Sequence, residues 1–436
     1  MLKLRRATVV ETRSLDPNLD PGPDHGPGPG ASAAARSRPA GEQRLVVELS
    51  GDGGARERRE AIADVALMGR SQVGDEVVVN TQALDLGLGS GGFDVVHVNL
   101  TRGLASSSPG NGAASAVAEL DGAWRASVMK LNYTSLQHTV RAVEDERLEL
   151  PVARPVAVLA LHGQLAALAW AHQQAAPGSR LGFVQTQGGA LPGGHSQTVR
   201  TLRERGLLAG HLTAGAAFGG EGEAVTTAGA LHHGLRTLGW DAAVCGPGPG
   251  IVGSGSSLGH GGMNALDSAH VALALGCPTL LVARMSSSDG RGRHRGISHH
   301  SLTVLDLLLE PVTVALPAGM RSPVGSDLRA GLGAVFAGAR ADGPARQRAS
   351  LAVEVRRPLS DRPARIARHD WRRAKVDLPG YAASGLPAQT MGRGILADPL
   401  FFGAALAGGG VLAGLSDELP AEGPSPREDL RAGERE

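Results

Sequence analysis

Two different rhythms of apolar and polar positions divide the chain near residue 154. Before that point, short β-branched runs are separated by turn residues, which is typical of strands in a small β-barrel. These runs lie at 4–13, 44–49, 59–68, 76–80 and 93–100. The spacing predicts a small, antiparallel β-barrel domain over residues 1–130.

Beyond residue 154, apolar runs alternate with segments of helix length. The runs lie at 156–161, 181–185, 207–213, 242–245, 279–283 and 312–316. Helical patterns between them lie near 163–176, 195–206, 222–239, 262–275 and 300–310. The repeated strand–helix order predicts a doubly wound, mainly parallel α/β sandwich, a Rossmann-like domain over residues 154–415. Residues 131–153 would connect the two domains.

Other segments carry weaker patterns. Residues 16–41 and 102–116 are rich in Pro, Gly, Ala and Ser and are expected to be disordered insertions. Residues 416–436 are charged and are expected to form a disordered tail. Between these, we expect a helix over 322–341, a short strand over 364–370 and a helix over 398–406.

Composition narrows the class of protein. The net charge is +1, because 43 basic residues face 42 acidic ones, and this gives no electrostatic case for nucleic-acid binding. The apolar segment 400–415 is shorter than the ~20 residues of a membrane helix, and the start of the chain lacks a signal-peptide pattern. The two cysteines form neither a disulfide framework nor a metal motif. These observations favour a cytoplasmic protein without a membrane partner, and they leave the oligomeric state open.

The most polar loop of the chain runs from Asp289 to Thr303, between a predicted strand and a predicted helix. It contains His294, His299 and His300, and neutral imidazoles bind metals and exchange protons near neutrality. Adjacent side chains diverge in a regular helix or strand. At most one of His299 and His300 is therefore expected to point into a site, unless the loop is irregular.

The same loop carries three arginines and a serine beside the histidines. Arginine recognises phosphate and carboxylate groups through two parallel hydrogen bonds. Arg291, Arg293 and Arg295, with the Ser298 hydroxyl, would then hold an anion. The alternative is that Ser298 caps the following helix and that the arginines are solvated.

Polar, glycine-rich segments follow the carboxyl ends of the predicted strands, where parallel sheets usually bind ligands. They lie at 162–163, 186–190, 213–223, 246–255 and 286–300. This arrangement predicts one composite site, to which His162 and Glu223 would contribute. Glu221 and Glu223 could instead stabilise the first turn of a helix through its dipole.

Gly248-Pro-Gly-Ile-Val-Gly253 has the GxGxxG spacing of dinucleotide-binding turns, but its context differs. It follows the fourth strand of the domain rather than the first, and Pro249 lies inside the turn. A strand-to-helix turn with close backbone approach is the expected structure. The alternative is an anion site in which Gly248, Gly250 and Gly253 let backbone N–H groups approach a ligand.

Two further nucleotide or nucleophile motifs are disfavoured. Gly255-Ser-Ser-Leu-Gly259 matches the nucleophile elbow, yet Ser257 lies well beyond the preceding predicted strand rather than at its end. We expect a turn or a helix cap there. No glycine is followed by Lys-Ser or Lys-Thr, so the chain has no P-loop.

Several motifs together resemble an uncharacterised bacterial family known only as a domain of unknown function. They are Met129-Lys-Leu-Asn-Tyr-Thr134, Leu161-His162, Gly188-Gly-Ala-Leu-Pro192, Ala217-Phe-Gly-Gly220, Gly248-Pro-Gly-Ile-Val-Gly253, Arg293-His-Arg-Gly-Ile-Ser-His-His300, Thr390-Met-Gly-Arg-Gly394 and Asp398-Pro-Leu-Phe-Phe402. The resemblance spans nearly the whole chain and implies kinship and a shared site, without an assigned activity. The family pattern has an acidic Thr-Asp-Gly where this chain has Thr186-Gln187-Gly188. The resemblance implies that an activity depending on that aspartate would be altered here.

Two function hypotheses follow. The first is a hydrolase or transferase that acts on a small anionic substrate at the strand ends, with a divalent metal as an optional cofactor. Its candidate catalytic residues are His162, Glu223, His294, His299 and His300. Its candidate substrate-binding residues are Gly248, Gly250, Gly253, Arg291, Arg293, Arg295 and Ser298. The second hypothesis is a non-catalytic binding or regulatory protein for a small anion or nucleotide, which would use the same arginines and glycines.

Overall fold

The computed structural model describes residues 2–13, 41–50, 56–87, 91–104, 127–144, 147–320 and 362–418. The predicted helix over 322–341 lies outside the described residues. So does nearly all of the predicted disordered segments 16–41, 102–116 and 416–436.

A closed five-stranded barrel forms the N-terminal part of the protein. Its strands are β1 (Leu4–Arg13), β2 (Glu42–Ser50), β3 (Arg56–Asp64), β4 (Glu76–Asn80) and β5 (Asp94–Asn99). They pair in the order β1-β2-β3-β5-β4, and β1 closes the ring by pairing with β4. Small and β-branched side chains such as Val9, Val77 and Val79 fill its interior. The predicted barrel is confirmed.

The barrel is not wholly antiparallel, because β3 and β5 run parallel. A closed ring with an odd number of strands cannot alternate direction all the way round, so at least one pair must be parallel. The predicted strand 59–68 also ends early. The Asp64 carboxylate accepts hydrogen bonds from the Ala66 and Leu67 amides, and this cap begins the short helix α1 (Val65–Met68). A second short helix, α2 (Gln82–Asp85), follows β4.

The second part is an α/β sandwich built on an eight-stranded parallel sheet. The remaining strands are β6 (Ser127–Lys130), β7 (His138–Arg141), β8 (Val156–Leu159), β9 (Leu181–Thr186), β10 (Gly210–Ala214), β11 (Gly222–Ala224), β12 (Ala242–Pro247), β13 (Thr279–Val282), β14 (Met285–Ser286), β15 (Gly296–Ile297), β16 (Thr313–Pro317), β17 (Asp370–Ala374), β18 (Gln389–Thr390) and β19 (Arg393–Gly394). The helices are α3 (Leu165–Ala175), α4 (Gln197–Glu204), α5 (Thr227–His232), α6 (Asn264–Ala274), α7 (His299–Leu307), α8 (Arg362–Ala367), α9 (Leu378–Ala383) and α10 (Pro399–Asp417). The sheet order is β11-β10-β9-β12-β8-β13-β16-β17.

Helices cover both faces of this sheet, as the doubly wound prediction required. Successive residues of β8 face the two hydrophobic cores on opposite faces of the sheet. Val156 and Val158 pack in the core with α5, α6, α7 and α8. Ala157 and Leu159 pack in the core with α3, α4, α9 and α10. Strands buried on both faces explain why the sequence shows continuous apolar runs rather than alternation.

The C-terminal elements differ from the prediction. Residues 364–370 were expected to form a strand, but α8 ends at Ala367 and β17 begins only at Asp370. The predicted helix 398–406 continues to Asp417 as α10. Among the described residues, α10 alone has the length and apolar composition of a membrane span. However, 78% of that window is buried within the protein, as in a core helix.

Candidate functional site

The order of the strands predicts a ligand-binding crevice at the carboxyl ends of the central strands. In sheet order β9, β12, β8 and β13 are neighbours, and the helices that follow them lie on alternating faces. Loops that leave neighbouring strands in opposite directions open a crevice between them, where ligands bind in such folds. The predicted polar segments after these four strands therefore meet at one edge.

Three histidines, His294, His299 and His300, form what we call the histidine cluster. Their ring centroids lie 5.0 Å apart for His294 and His299, 5.5 Å for His294 and His300, and 3.8 Å for His299 and His300. One nitrogen from each ring lies within 4.8 Å of the others. The rings of His299 and His300 do not diverge as adjacent side chains of a regular helix or strand do. Both rings stand at the start of α7, and the preceding loop folds back so that His294 contacts each of them.

Hydrogen bonds set which imidazole nitrogen carries a lone pair. His300 Nε2 lies 3.0 Å from the Ser256 carbonyl oxygen, which can only accept, so Nε2 carries the proton. His300 Nδ1 is then the lone-pair nitrogen, and it is buried without a hydrogen-bond partner among the described residues. His294 Nδ1 lies 2.9 Å from the Ser298 hydroxyl. Arg284 Nη1, which can only donate, lies near the same Nδ1, so the metal-free ring holds its lone pair on Nδ1 and its proton on Nε2. Binding a metal through His294 Nε2 would require the proton to move to Nδ1, which would then donate to the Ser298 hydroxyl.

Burial keeps these imidazoles neutral. Loss of solvation lowers the pKa of His294 to about 3, and the nearby Arg284 charge lowers it further in the same direction. Burial also lowers the pKa of His300. Ser298 occupies the N-cap position of α7 but makes no side-chain cap hydrogen bond, so its hydroxyl serves His294 instead.

A buried ion pair lies directly beside the histidine cluster. Arg284 Nη2 donates to Asp289 Oδ2 at 2.8 Å, and both side chains are almost fully buried. Arg284 Nη1 lies 3.4 Å from His294 Nδ1. Arg291 Nε donates to the same carboxylate at 3.0 Å, and Arg393 Nη2 lies 3.6 Å from it. Burial alone would raise the pKa of Asp289, but the Arg291 hydrogen bonds and charges outweigh this, and the pKa lies well below its usual range.

The other two arginines of the loop are both exposed and differ in their contacts. Arg295 Nε donates to the Asp289 backbone oxygen at 2.9 Å, which ties it to the loop. Arg293 is exposed, in the turn that ends at His294, and has no ion pair among the described residues. Because Arg295 uses only its Nε in that contact and has no ion pair among the described residues, both Arg293 and Arg295 have positive charge available to a ligand.

The C-terminal segment closes over the same loop. Asp398 is buried and accepts hydrogen bonds from the Ser286 hydroxyl at 2.6 Å, the Ser287 amide at 2.7 Å and Arg393 Nε at 3.1 Å. Met391, between β18 and β19, places its sulfur 3.5 Å from Arg284 Nη2. Sequence reasoning missed these contacts. The sequence offered one signal, which is the charge of Arg284 between the apolar residues Ala283 and Met285, just after β13.

His162 lies in a separate hydrogen-bond network. Its Nδ1 is 3.1 Å from the Pro247 carbonyl oxygen, and its Nε2 is 2.7 Å from the Ser196 hydroxyl. That hydroxyl also accepts the Val199 amide and caps α4. Burial lowers the pKa of His162 to about 4. His162 thus joins the ends of β8 and β12 to α4, and it makes no contact with the histidine cluster.

Glu223 lies at the other end of the sheet. It belongs to β11, five strands away from β13, which corresponds to about 24 Å at ~4.8 Å per strand. Its carboxylate accepts from Lys130 Nζ at 3.1 Å, the Thr213 hydroxyl at 2.7 Å and the Gly219 amide at 2.7 Å. The first-turn interpretation of Glu223 was wrong, because α5 begins only at Thr227 with Thr226 as its cap.

Close packing of two loops accounts for the glycines of the GxGxxG-like segment. A Cβ on Gly248 would overlap the Ala190 carbonyl oxygen, and one on Gly253 would overlap the His260 ring. Gly250 has a φ of +70°, which favours glycine. In the neighbouring loop Gln187 is exposed, with its Nε2 3.5 Å from Asn264 Oδ1.

Gly261→Ala is expected to lower the free energy of unfolding by about 1–3 kcal/mol, the usual cost of overpacking. The new methyl group would overlap the Gly188 carbonyl oxygen and push the two loops apart. Denaturant unfolding measures this change. Gly255→Ala is the matched control, because nothing lies within 4 Å of the position its Cβ would take. Equal stability of the two variants would contradict the predicted packing.

The fold and the site define a two-part protein, a small barrel joined to an α/β sandwich, with a histidine–arginine site at the strand ends. The chain belongs to the family described as "Protein of unknown function (DUF3866)", whose model matches residues 60–409. The predicted kinship to a domain-of-unknown-function family is confirmed. No curated protein matches the chain. No solved structure matches it either.

Proposed function

We propose that the histidine cluster holds a divalent metal ion and that the crevice beside it is the active site of a hydrolase or transferase for a small anionic substrate. The observation that supports this most directly is the set of three nitrogens within 4.8 Å of one another. Three histidines leave a coordination position for water or substrate, as in catalytic zinc sites. A bound ion of this kind supplies an ionised water near neutral pH.

The surroundings of the cluster fit such an ion in part. Ligands of a tetrahedral metal at 2.0–2.1 Å stand roughly 3.4 Å apart, so binding would draw the three nitrogens together by about 1 Å. The Ser256 carbonyl and the Ser298 hydroxyl hold the outer nitrogens of His300 and His294. Such outer hydrogen bonds orient metal-binding histidines. The Arg284 charge opposes a cation, and the paired Asp289 carboxylate offsets it.

The charge around the crevice favours an anionic substrate. Arginines 284, 291 and 393 pair with the two carboxylates Asp289 and Asp398. Arg293 and Arg295 have no ion pair among the described residues, so the positive charge is in excess. Because Asp289 is occupied by arginines, it is not available as a general base. In this proposal Arg293 and Arg295, which have no carboxylate partner among the described residues, bind the substrate anion. The histidines of the cluster act as metal ligands.

Metal binding tests the proposal. Full-length protein, stripped with a chelator, should bind one equivalent of Zn²⁺ or Co²⁺ by titration calorimetry. His299→Ala and His300→Ala should each weaken that affinity by about 100-fold or more, since each removes a ligand. His97→Ala, which removes a partly buried histidine of the barrel, is the matched control and should bind like the wild type. A wild type that binds no metal, or ligand variants that match the control, would overturn the metal site.

A non-catalytic anion-binding protein is the second candidate, favoured by the surplus of arginines and the absence of an available carboxylate in the cluster. For this second candidate we expect inorganic phosphate or a nucleotide to raise the unfolding temperature of the metal-free protein. In the catalytic proposal, the same anions stabilise the metal-loaded protein more than the metal-free one. Comparing the two shifts at equal anion concentration separates the candidates.

The expectations about partner and location also belong to this proposal. The balanced charge supports a small-molecule ligand rather than nucleic acid or a membrane. Both cysteines are free and buried, which fits a reducing compartment such as the cytoplasm. The parallel sheet with its central crevice supports a Rossmann-like relationship.

A further inference from the structure

A fourth histidine, His260, lies against the histidine cluster and has no role in the function proposed above. It follows the exposed loop 249–259 and precedes the turn Gly261–Met263. Its ring stacks on His300, with centroids 4.3 Å apart and planes 20° apart. Sequence reasoning did not single it out, because only the folded loop brings it to the cluster.

The protonated nitrogen of His260 is fixed by the backbone. Its Nδ1 lies 3.0 Å from the Gly262 amide nitrogen, and an amide N–H can only donate. Nδ1 must therefore carry the lone pair, and the neutral ring carries its proton on Nε2. That assignment also removes His260 from the set of metal ligands, since one nitrogen is occupied and the other is protonated.

Two residues hold the ring in place. Gly253 lies close to its Cδ2 atom, where a Cβ would overlap the ring, and His300 stacks on the ring. The Gly261 amide donates to the Val252 carbonyl oxygen at 2.8 Å, which fixes the backbone next to His260. Among the described residues, no acceptor is within hydrogen-bond reach of the His260 Nε2–H, and the side chain is only partly buried.

We infer that His260 is a fixed, neutral hydrogen-bond donor that binds an oxygen of the anion held at the histidine cluster. This inference rests on the function proposed above and adds a substrate-binding residue to it. An oriented donor beside a metal-bound oxyanion stabilises the negative charge without having to reorganise. A neutral donor does so without adding a further positive charge next to a metal and several arginines.

Anion binding to the Co²⁺-loaded protein tests this role. The visible spectrum of bound Co²⁺ reports both metal uptake and the entry of inorganic phosphate into its coordination sphere. His260→Phe keeps a ring against His300 but has no N–H group. We expect its Co²⁺ affinity to stay within about threefold of the wild type while its phosphate affinity falls about tenfold, the value of one hydrogen bond to a charged group.

His260→Gln provides the complementary variant, because its amide can accept from Gly262 and still donate from Nε2. Its phosphate affinity should lie within about threefold of the wild type. Normal Co²⁺ uptake with equal phosphate affinity in wild type and His260→Phe would overturn this inference alone. A wild type that takes up no Co²⁺ would overturn the proposed function, and this inference with it.

Discussion

Asp289→Ala should destabilise the protein by about 3–5 kcal/mol, because it leaves the buried Arg284 guanidinium without its carboxylate. Arg284 is only 3% exposed, and Asp289 is its one ion-pair partner among the described residues. An unpaired charge at that depth loses its hydration without compensation. The free energy of unfolding in urea, at neutral pH, measures the loss.

Two further variants separate this effect from ordinary loss of a contact. Glu60→Ala removes a carboxylate from an exposed pair with Arg13 and should cost about 1 kcal/mol or less. The double variant Asp289→Leu, Arg284→Met should recover most of the stability, since apolar groups can replace a buried ion pair. A loss below 1 kcal/mol in Asp289→Ala would show that Arg284 reaches solvent or another counter-charge.

Much of the fold could be predicted from local patterns, because both architectures impose them along the chain. The strands buried on both faces require continuous apolar runs, such as that of β8, and the runs were visible. Helix α10 was predicted too short because Gly408, Gly409 and Gly410 resemble a break. In the structure they allow close helix packing: a Cβ on Gly409 would overlap the Leu168 carbonyl oxygen of α3. Such a contact between distant segments has no local signature.

Only the part of the candidate site that lies within one loop could be predicted from the sequence. The histidines and arginines of the loop are close in sequence, so their proximity in space followed from the sequence. The prediction of one composite site places Glu223 with them, because it assumes that all strand ends face one crevice. In the structure, five strand positions separate β11, which holds Glu223, from β13. His260 and Arg284 depend on loop contacts across the sheet edge. Sequence periodicity does not encode such contacts.

Between pH 6.5 and about 4.5, the burial of His162 and His211 alone should lower the free energy of unfolding by about 4 kcal/mol, a substantial part of the ~5–15 kcal/mol that stabilises ordinary domains. Burial lowers the pKa of His162 to about 4 and that of His211, with a smaller contribution from His162, to about 3. An unfolded histidine titrates near 6.5. Between these values the unfolded chain binds a proton at each position and the folded protein does not, so stability falls as the pH falls.

Each such histidine changes the free energy of unfolding by up to about 1.4 kcal/mol per pH unit, so the two together contribute a slope of about 2.7 kcal/mol per pH unit. Their stabilising effect is complete above pH 6.5 and is lost progressively below it. Urea unfolding at pH 7.5, 5.5 and 4.5 measures this slope. His211→Gln should reduce the slope by about 1.4 kcal/mol per pH unit, the contribution of one histidine. A free energy of unfolding that stays constant from pH 7.5 to 4.5 would mean that both imidazoles accept protons in the folded state, and that the network joining His162 to Ser196 and Pro247 opens to water.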